Sequence, residues 1–146
     1  PDSLVAFVHS RLRTDGGFVE YGPMRKSGTN PTAAGMGILR AIAPQLLQGD
    51  MKNNLINFYK GMMGDENGFK ANHRIPFCDV LSTFTSLWSL AELDGLDELP
   101  LDKISQYVLS TGNIQGGFHG GSWDAGRDVE YSFYALGALA LLASRK

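Results

Sequence analysis

Two groups of side chains in this sequence are of types that bind metals. His73, Cys78 and Asp79 form one group, and His119, Asp124, Asp128 and Glu130 form the other. Imidazole, thiolate and carboxylate are ligands for zinc, and a carboxylate-rich set also suits a harder divalent ion. Asp128 and Glu130 are the pair taken forward as candidate metal ligands. Neither group has a recognised metal-binding spacing, so structural roles compete with this one. Asp79 and Asp128 each precede an apolar run, which suits an N-cap. Glu130 falls in a first turn, where negative charge complements the helix dipole.

Basic side chains are the second resource for chemistry. Arg25, Lys26, Lys70, His73, Arg74 and Arg127 stand between apolar segments, where they either gather around an anion or remain solvated loop charges. The acidic run from Asp94 to Asp102 reads as a solvated linker with capping residues.

What must position these groups is an internal repeat. Phe18, Phe69 and Phe118, each preceded by glycine, recur at intervals of about 50 residues. The segments that follow them align without a gap, so that Thr32, Thr83 and Ser132 coincide. So do Met36, Leu87 and Leu136, then Leu39, Leu90 and Leu139, then Ile42, Leu93 and Leu142. A recurring three-residue step of this kind lies on one helix face. A second amphipathic segment precedes each glycine turn, running from Ser3, Asp50 and Pro100. Each repeat, at about 1–45, 50–95 and 100–145, therefore reads as helix, glycine turn, helix. The second helix of each pair is apolar on more sides and is expected inside, with the more polar one outside. The glycines at 16, 17, 68, 116 and 117 are expected to adopt backbone angles closed to other residues. Nothing alternates with period two, so strands are expected only as short loop pairings.

The chain of 146 residues, 43% of them hydrophobic, is enough for a single domain with a core. A net charge of -2, from 13 basic and 15 acidic residues, argues against nucleic acid as a partner. The longest apolar stretch, Ala135 to Ala143, falls far short of the roughly 20 residues that span a bilayer. No secretory leader is expected, and the lone Cys78 allows no internal disulfide, so the expected setting is cytoplasmic.

The period, the "GGF" turn, the aspartate that follows it and the helix beginning "DVEYSFYALGAL" resemble the prenyltransferase and squalene cyclase repeat. The likeness is closest to the β subunits of protein prenyltransferases and their bacterial relatives, and covers essentially the whole chain. It implies an all-α fold of about six main helices, forming αα hairpins in an arc of an α/α toroid around an apolar funnel. Such toroids contain about twice as many hairpins, so the resemblance implies a partner. Either a second copy completes the ring, as a homodimer, or a missing N-terminal half does. The opening Pro1, with no initiator Met, favours the missing half.

In catalytic relatives an Asp-x-Cys pair and a later histidine hold zinc, which activates a substrate thiol toward an isoprenoid diphosphate. Here Asp128 matches the aspartate and Tyr131 the tyrosine after the pair, but Glu130 stands in place of the cysteine. Ser122 and Ala125 replace the arginine and lysine that meet the diphosphate, and Ser82 offers no histidine. The resemblance therefore implies a protein that binds an isoprenoid, its diphosphate or another apolar chain, with catalysis left open and zinc the only cofactor raised. Phe77, Phe84, Trp88, Trp123, Phe133 and Tyr134 either line that funnel or fill the core. The candidate ligand-lining residues are Tyr131, Trp123, His73, Arg74, Phe84 and Trp88. The alternative is a noncatalytic scaffold that holds a protein or peptide on its concave face.

Overall fold

The computed structural model describes residues 2–144. Pro1, with which the first repeat opens, and residues 145–146, where the third repeat ends, lie outside it. The described chain forms six helices: α1 (Asp2–His9), α2 (Thr29–Ile42), α3 (Gly49–Met62), α4 (Val80–Glu92), α5 (Leu101–Ser110) and α6 (Val129–Ala143). A short 3-10 turn spans Pro44–Leu46, and two two-residue strands, β1 (Phe69–Lys70) and β2 (Cys78–Asp79), pair antiparallel with Phe69 opposite Asp79. The all-α expectation holds, with extended structure confined to the loops.

The first helix is shorter than its apolar pattern suggests. The pattern from Ser3 runs on to Leu12, but α1 ends at His9 because Leu12 turns out to bridge with Phe18. Met63 and Gly112 bridge with Phe69 and Phe118 in the same register. Each glycine turn is thus closed as a small loop against the end of its outer helix.

The coincidence of Thr32, Thr83 and Ser132 has a direct structural meaning. Each hydroxyl oxygen accepts a hydrogen bond from the backbone N–H of the turn phenylalanine, at 2.8, 3.0 and 3.1 Å for Phe18, Phe69 and Phe118. Each hydroxyl then donates to the carbonyl of Gly28, Asp79 or Asp128, at 2.7, 2.7 and 2.8 Å. A buried N–H needs an acceptor, and this latch supplies one while tying the turn to the first coil of the inner helix.

The glycines divide into two classes where one was expected. Gly16, Gly116 and Gly117 have positive φ, whereas Gly17 and Gly68 do not; in the second turn Asn67 takes the left-handed position at φ 66. Gly17 and Gly68 are instead required by close approach. A Cβ on Gly17 would stand 2.7 Å from the Phe58 ring, and one on Gly68 would stand 2.6 Å from Tyr107 Cδ1.

α4 is the middle of the assembly and packs against both α2 and α6. One core cluster joins α4, α5 and α6 around Phe69, Leu87, Leu90 and Ile104; another joins α1, α2 and α3 around Phe18, Met36, Leu39 and Leu55. Ion pairs of Arg40 with Glu92, Lys52 with Asp94 and Lys60 with Glu98 lie across the surface of these joints. α6 buries Ala135, Ala138 and Leu142 but exposes Val129, Phe133 and Leu136, so its apolar circumference is only half used.

Candidate functional site

The candidate groups lie at the loop end of the hairpins, where the inner helices begin. Asp79 and Asp128 cap α4 and α6. The Asp79 carboxylate accepts from Ser82 N at 2.6 Å and Ser82 Oγ at 2.8 Å, and Asp128 Oδ1 accepts from Tyr131 N at 2.7 Å. Burial pushes the Asp79 carboxyl above its ordinary value despite these hydrogen bonds.

The other members of the two metal-type groups are also engaged locally. His119 Nδ1 donates to Gly126 O at 2.7 Å, leaving Nε2 to accept from Asn113 Nδ2 at 3.2 Å. Asp124 accepts from Gly126 N at 2.8 Å and from Gly120 N at 3.2 Å. Cys78 is buried, and that burial pushes its thiol up to about 11; His73 is exposed. Among the described residues no group of three or more His, Cys, Asp or Glu side chains converges as a metal site would require. Asp128 with the exposed Glu130 is a pair without a third donor, a set that does not fit a protein-held zinc.

The six candidate lining residues divide into three places. His73 and Arg74, with Arg25 and Lys26, edge a cavity of about 830 Å³ that reaches Asn30 and Pro31 at the start of α2. Tyr131 and Trp123 pack around the Gly120–Gly121 turn, where Trp123 Nε1 donates to Cys78 O at 3.2 Å. Burial, then the nearby Asp124 and Asp128 carboxylates, holds the Tyr131 phenol above its ordinary value. Phe84 and Trp88 lie along α4. Trp88 faces Gly37 of α2, and Phe84 meets α6, where a Cβ on Gly137 would come within 2.6 Å of its ring.

Phe84 is the centre of an aromatic row. Its ring stacks on Tyr134 with centroids 5.9 Å apart at 27°, and meets Phe133 edge-on at 5.9 Å. Phe133 also meets Tyr134 edge-on at 5.6 Å and remains 62% exposed. Phe77, the other loop aromatic, is exposed and stands apart from these ring pairs.

Two carboxylates that sequence reasoning passed over organise the loops. Asp15 accepts from Ser27 N at 3.0 Å and Ser27 Oγ at 2.6 Å. Glu66, at the same place in the next repeat, accepts from Cys78 N at 2.8 Å and reaches Ser122 Oγ of the third hairpin at 2.6 Å. The signal was available, because an acid precedes the turn phenylalanine at the same register in both repeats. Hydrogen bonds from Ser27 and from Cys78 and Ser122 outweigh burial and hold both carboxyls below their ordinary values.

No helix among the described residues is long and apolar enough to cross a membrane. No protein-family model and no curated protein matches the sequence. Among solved structures, the chain is similar to Candida albicans protein geranylgeranyltransferase-I complexed with GGPP. The identity is 24% and the TM-score 0.78, over 96% of this chain and 42% of that one. The chain thus spans less than half the length of the structure it matches. The hairpin order, the latch and this likeness together show a protein prenyltransferase β-like α/α toroid fold.

Proposed function

We propose that this chain is a prenyltransferase β-like protein that binds an isoprenoid, or its diphosphate, along the inner helices. The observation that carries this reading is the row of Phe84, Tyr134 and the exposed Phe133, which offers an unbranched run of aromatic surface to an apolar chain. The GGPP bound in the structurally similar enzyme supports it. Arg25, Lys26 and Arg74 supply positive charge at the loop end of α2, with the His73 ring beside them, where an anionic headgroup would be stabilised. The reading is one of binding in a single three-hairpin domain in a cytoplasmic setting, and no reaction step is routed through Asp128, Glu130 or zinc. Enclosing the ligand takes further hairpins, from a second copy or from more chain of the same kind.

Quenching of tryptophan fluorescence by geranylgeranyl diphosphate tests it, because Trp88 lies on the same helix as Phe84. Saturable quenching with a Kd near or below about 10 μM, which inorganic diphosphate alone does not reproduce, is the expected result. Absence of quenching up to about 100 μM, or equal quenching by inorganic diphosphate, would overturn it.

A further inference from the structure

Two neighbouring loops project at the loop end of the hairpins, 20–26 before α2 and 71–77 between β1 and β2. Ser27 and Cys78 anchor their ends in the same register, through hydrogen bonds to Asp15 and Glu66. Arg13 holds the first loop in shape, donating from Nε to Met24 O at 2.8 Å and from Nη2 to Gly22 O at 2.7 Å. Thr29 N ties it to the second loop, donating to Ala71 O at 2.8 Å. The cavity between the two loops carries Arg25, Lys26 and Arg74 on its edge, and Glu20 is the one acid among the residues that line it.

Two features set this face apart. Among the described residues, Arg25, Lys26 and Arg74 form no ion pair, whereas Arg40, Lys52 and Lys60 each meet a carboxylate. Beside these cations the loops expose large apolar side chains, Tyr21 and Met24 on the first and Ile75 and Phe77 on the second, the last two at 42% and 51%. Four such side chains on two joined loops make a patch rather than scattered single exposures. The exposure of Ile75 and Phe77 does not arise at an edge of the arc. Their loop is joined on one side through Thr29 and on the other by Val80 N donating to Gly120 O at 2.8 Å and Trp123 Nε1 donating to Cys78 O at 3.2 Å. Hairpins already stand on both sides of this loop and leave its tip uncovered, so more hairpins in the same arrangement would not cover it.

The tip of the second loop suits a surface without water. Unpaired backbone donors keep most loops out of lipid, but here Arg74 N and Ile75 N donate to Asn72 Oδ1 and Asn72 O at 2.9 and 3.3 Å, and Pro76 has no N–H. We propose that this loop face docks on an anionic lipid bilayer, with Ile75 and Phe77 entering the acyl boundary and Arg25, Lys26 and Arg74 meeting lipid phosphates. A bilayer presents phosphate over hydrocarbon, the same two chemistries that the cations and apolar tips present within one joint. Two apolar tips are a weak anchor by themselves, so the cations must add to them. The net charge of -2 gives the chain as a whole no attraction to such a surface, so contact depends on this local group of cations. The inference rests on the loop cations that the isoprenoid reading gives to a headgroup but not on the aromatic row, and it needs no isoprenoid.

Co-sedimentation of the chain with isoprenoid-free vesicles tests it, comparing phosphatidylcholine alone with phosphatidylcholine containing about one third phosphatidylglycerol. Binding to the anionic vesicles is expected, at least about ten-fold tighter than to the neutral ones and weakened by about 0.5 M salt. The double variants Ile75→Ser/Phe77→Ser and Arg25→Gln/Arg74→Gln should each weaken it at least about ten-fold while keeping the helical circular dichroism, and Leu109→Ser should leave it unchanged. Inorganic phosphate at about 10 mM should leave most of the chain on the vesicles. No sedimentation with either vesicle at about 1 mM lipid overturns the proposal and leaves the loop face to a protein partner. Binding that inorganic phosphate abolishes and that Ile75→Ser/Phe77→Ser retains overturns it equally, since the cavity would then be a site for a free phosphate group. Because no isoprenoid is present, these results stand apart from the tryptophan quenching, and either reading can fail alone.

Discussion

Phe69 N donates to Thr83 Oγ1 at 3.0 Å, and both residues are fully buried. The hydroxyl is the acceptor that lets the turn backbone leave water, so its loss strands a buried donor. Thr83→Val keeps the shape and should cost about 1–3 kcal/mol of unfolding free energy in urea titration. Ser132→Ala breaks the same latch at the open edge, where water reaches Ser132, and should cost less. Equal losses would show that burial is not what makes the latch matter.

Gly68→Ala should destabilise by about 1–3 kcal/mol, because the added methyl drives into the Tyr107 ring rather than straining the backbone. Tyr107→Leu combined with it should recover part of the loss. A double variant whose effects simply add would place the cost in the turn conformation instead.

The carboxylates give opposite pH responses. Asp15 and Glu66 titrate below their ordinary values of 3.8 and 4.5 in the folded chain, so the unfolded chain takes up protons first. Their contribution is present above those values and is lost as pH falls through the folded ones. Asp79 is displaced upward, so the folded chain holds its proton more tightly and this group's contribution declines as pH rises through its range. Urea midpoints should therefore show Glu66→Gln destabilising at about pH 7 and the difference from the parent shrinking toward about pH 3. A constant difference would mean that Glu66 acts without its charge.

The Cys78 thiol is buried, and its displacement to about 11 keeps it protonated at neutral pH. Its reaction with an aromatic disulfide reagent at about pH 8 should be at least about 100-fold slower in the folded chain than in denaturant. Comparable rates would mean that the β1–β2 loop opens readily.

Phe133→Ala removes the exposed end of the aromatic row and should raise the Kd for geranylgeranyl diphosphate about ten-fold, a loss of about 1.4 kcal/mol. Leu109→Ala, on an exposed outer helix, should leave it unchanged. If both variants bind as the parent does, the aromatic row is not the ligand surface.

Much of the arrangement was legible in the repeat. The alignment of Thr32, Thr83 and Ser132 marks the three latches, and the aspartates before α4 and α6 mark the two caps. These are short-range features, in which register alone brings donor to acceptor. The Glu66 link to Ser122 was not legible, because the partner comes from another hairpin and belongs to no local pattern. The separation of His73 and Arg74 from Tyr131, Trp123, Phe84 and Trp88 was likewise hidden, since residue types do not say which loops meet.

By itself the sequence determined the hairpin and its threefold repetition, since helix periodicity, glycine turns and capping side chains act over a few residues. The tertiary structure decided which equivalent positions differ. Leu87 and Leu136 share one register, yet Leu87 is sealed by the next hairpin and Leu136 faces outward. Burial depends on what stands on the other side of a helix, and no stretch of local sequence contains its own neighbour.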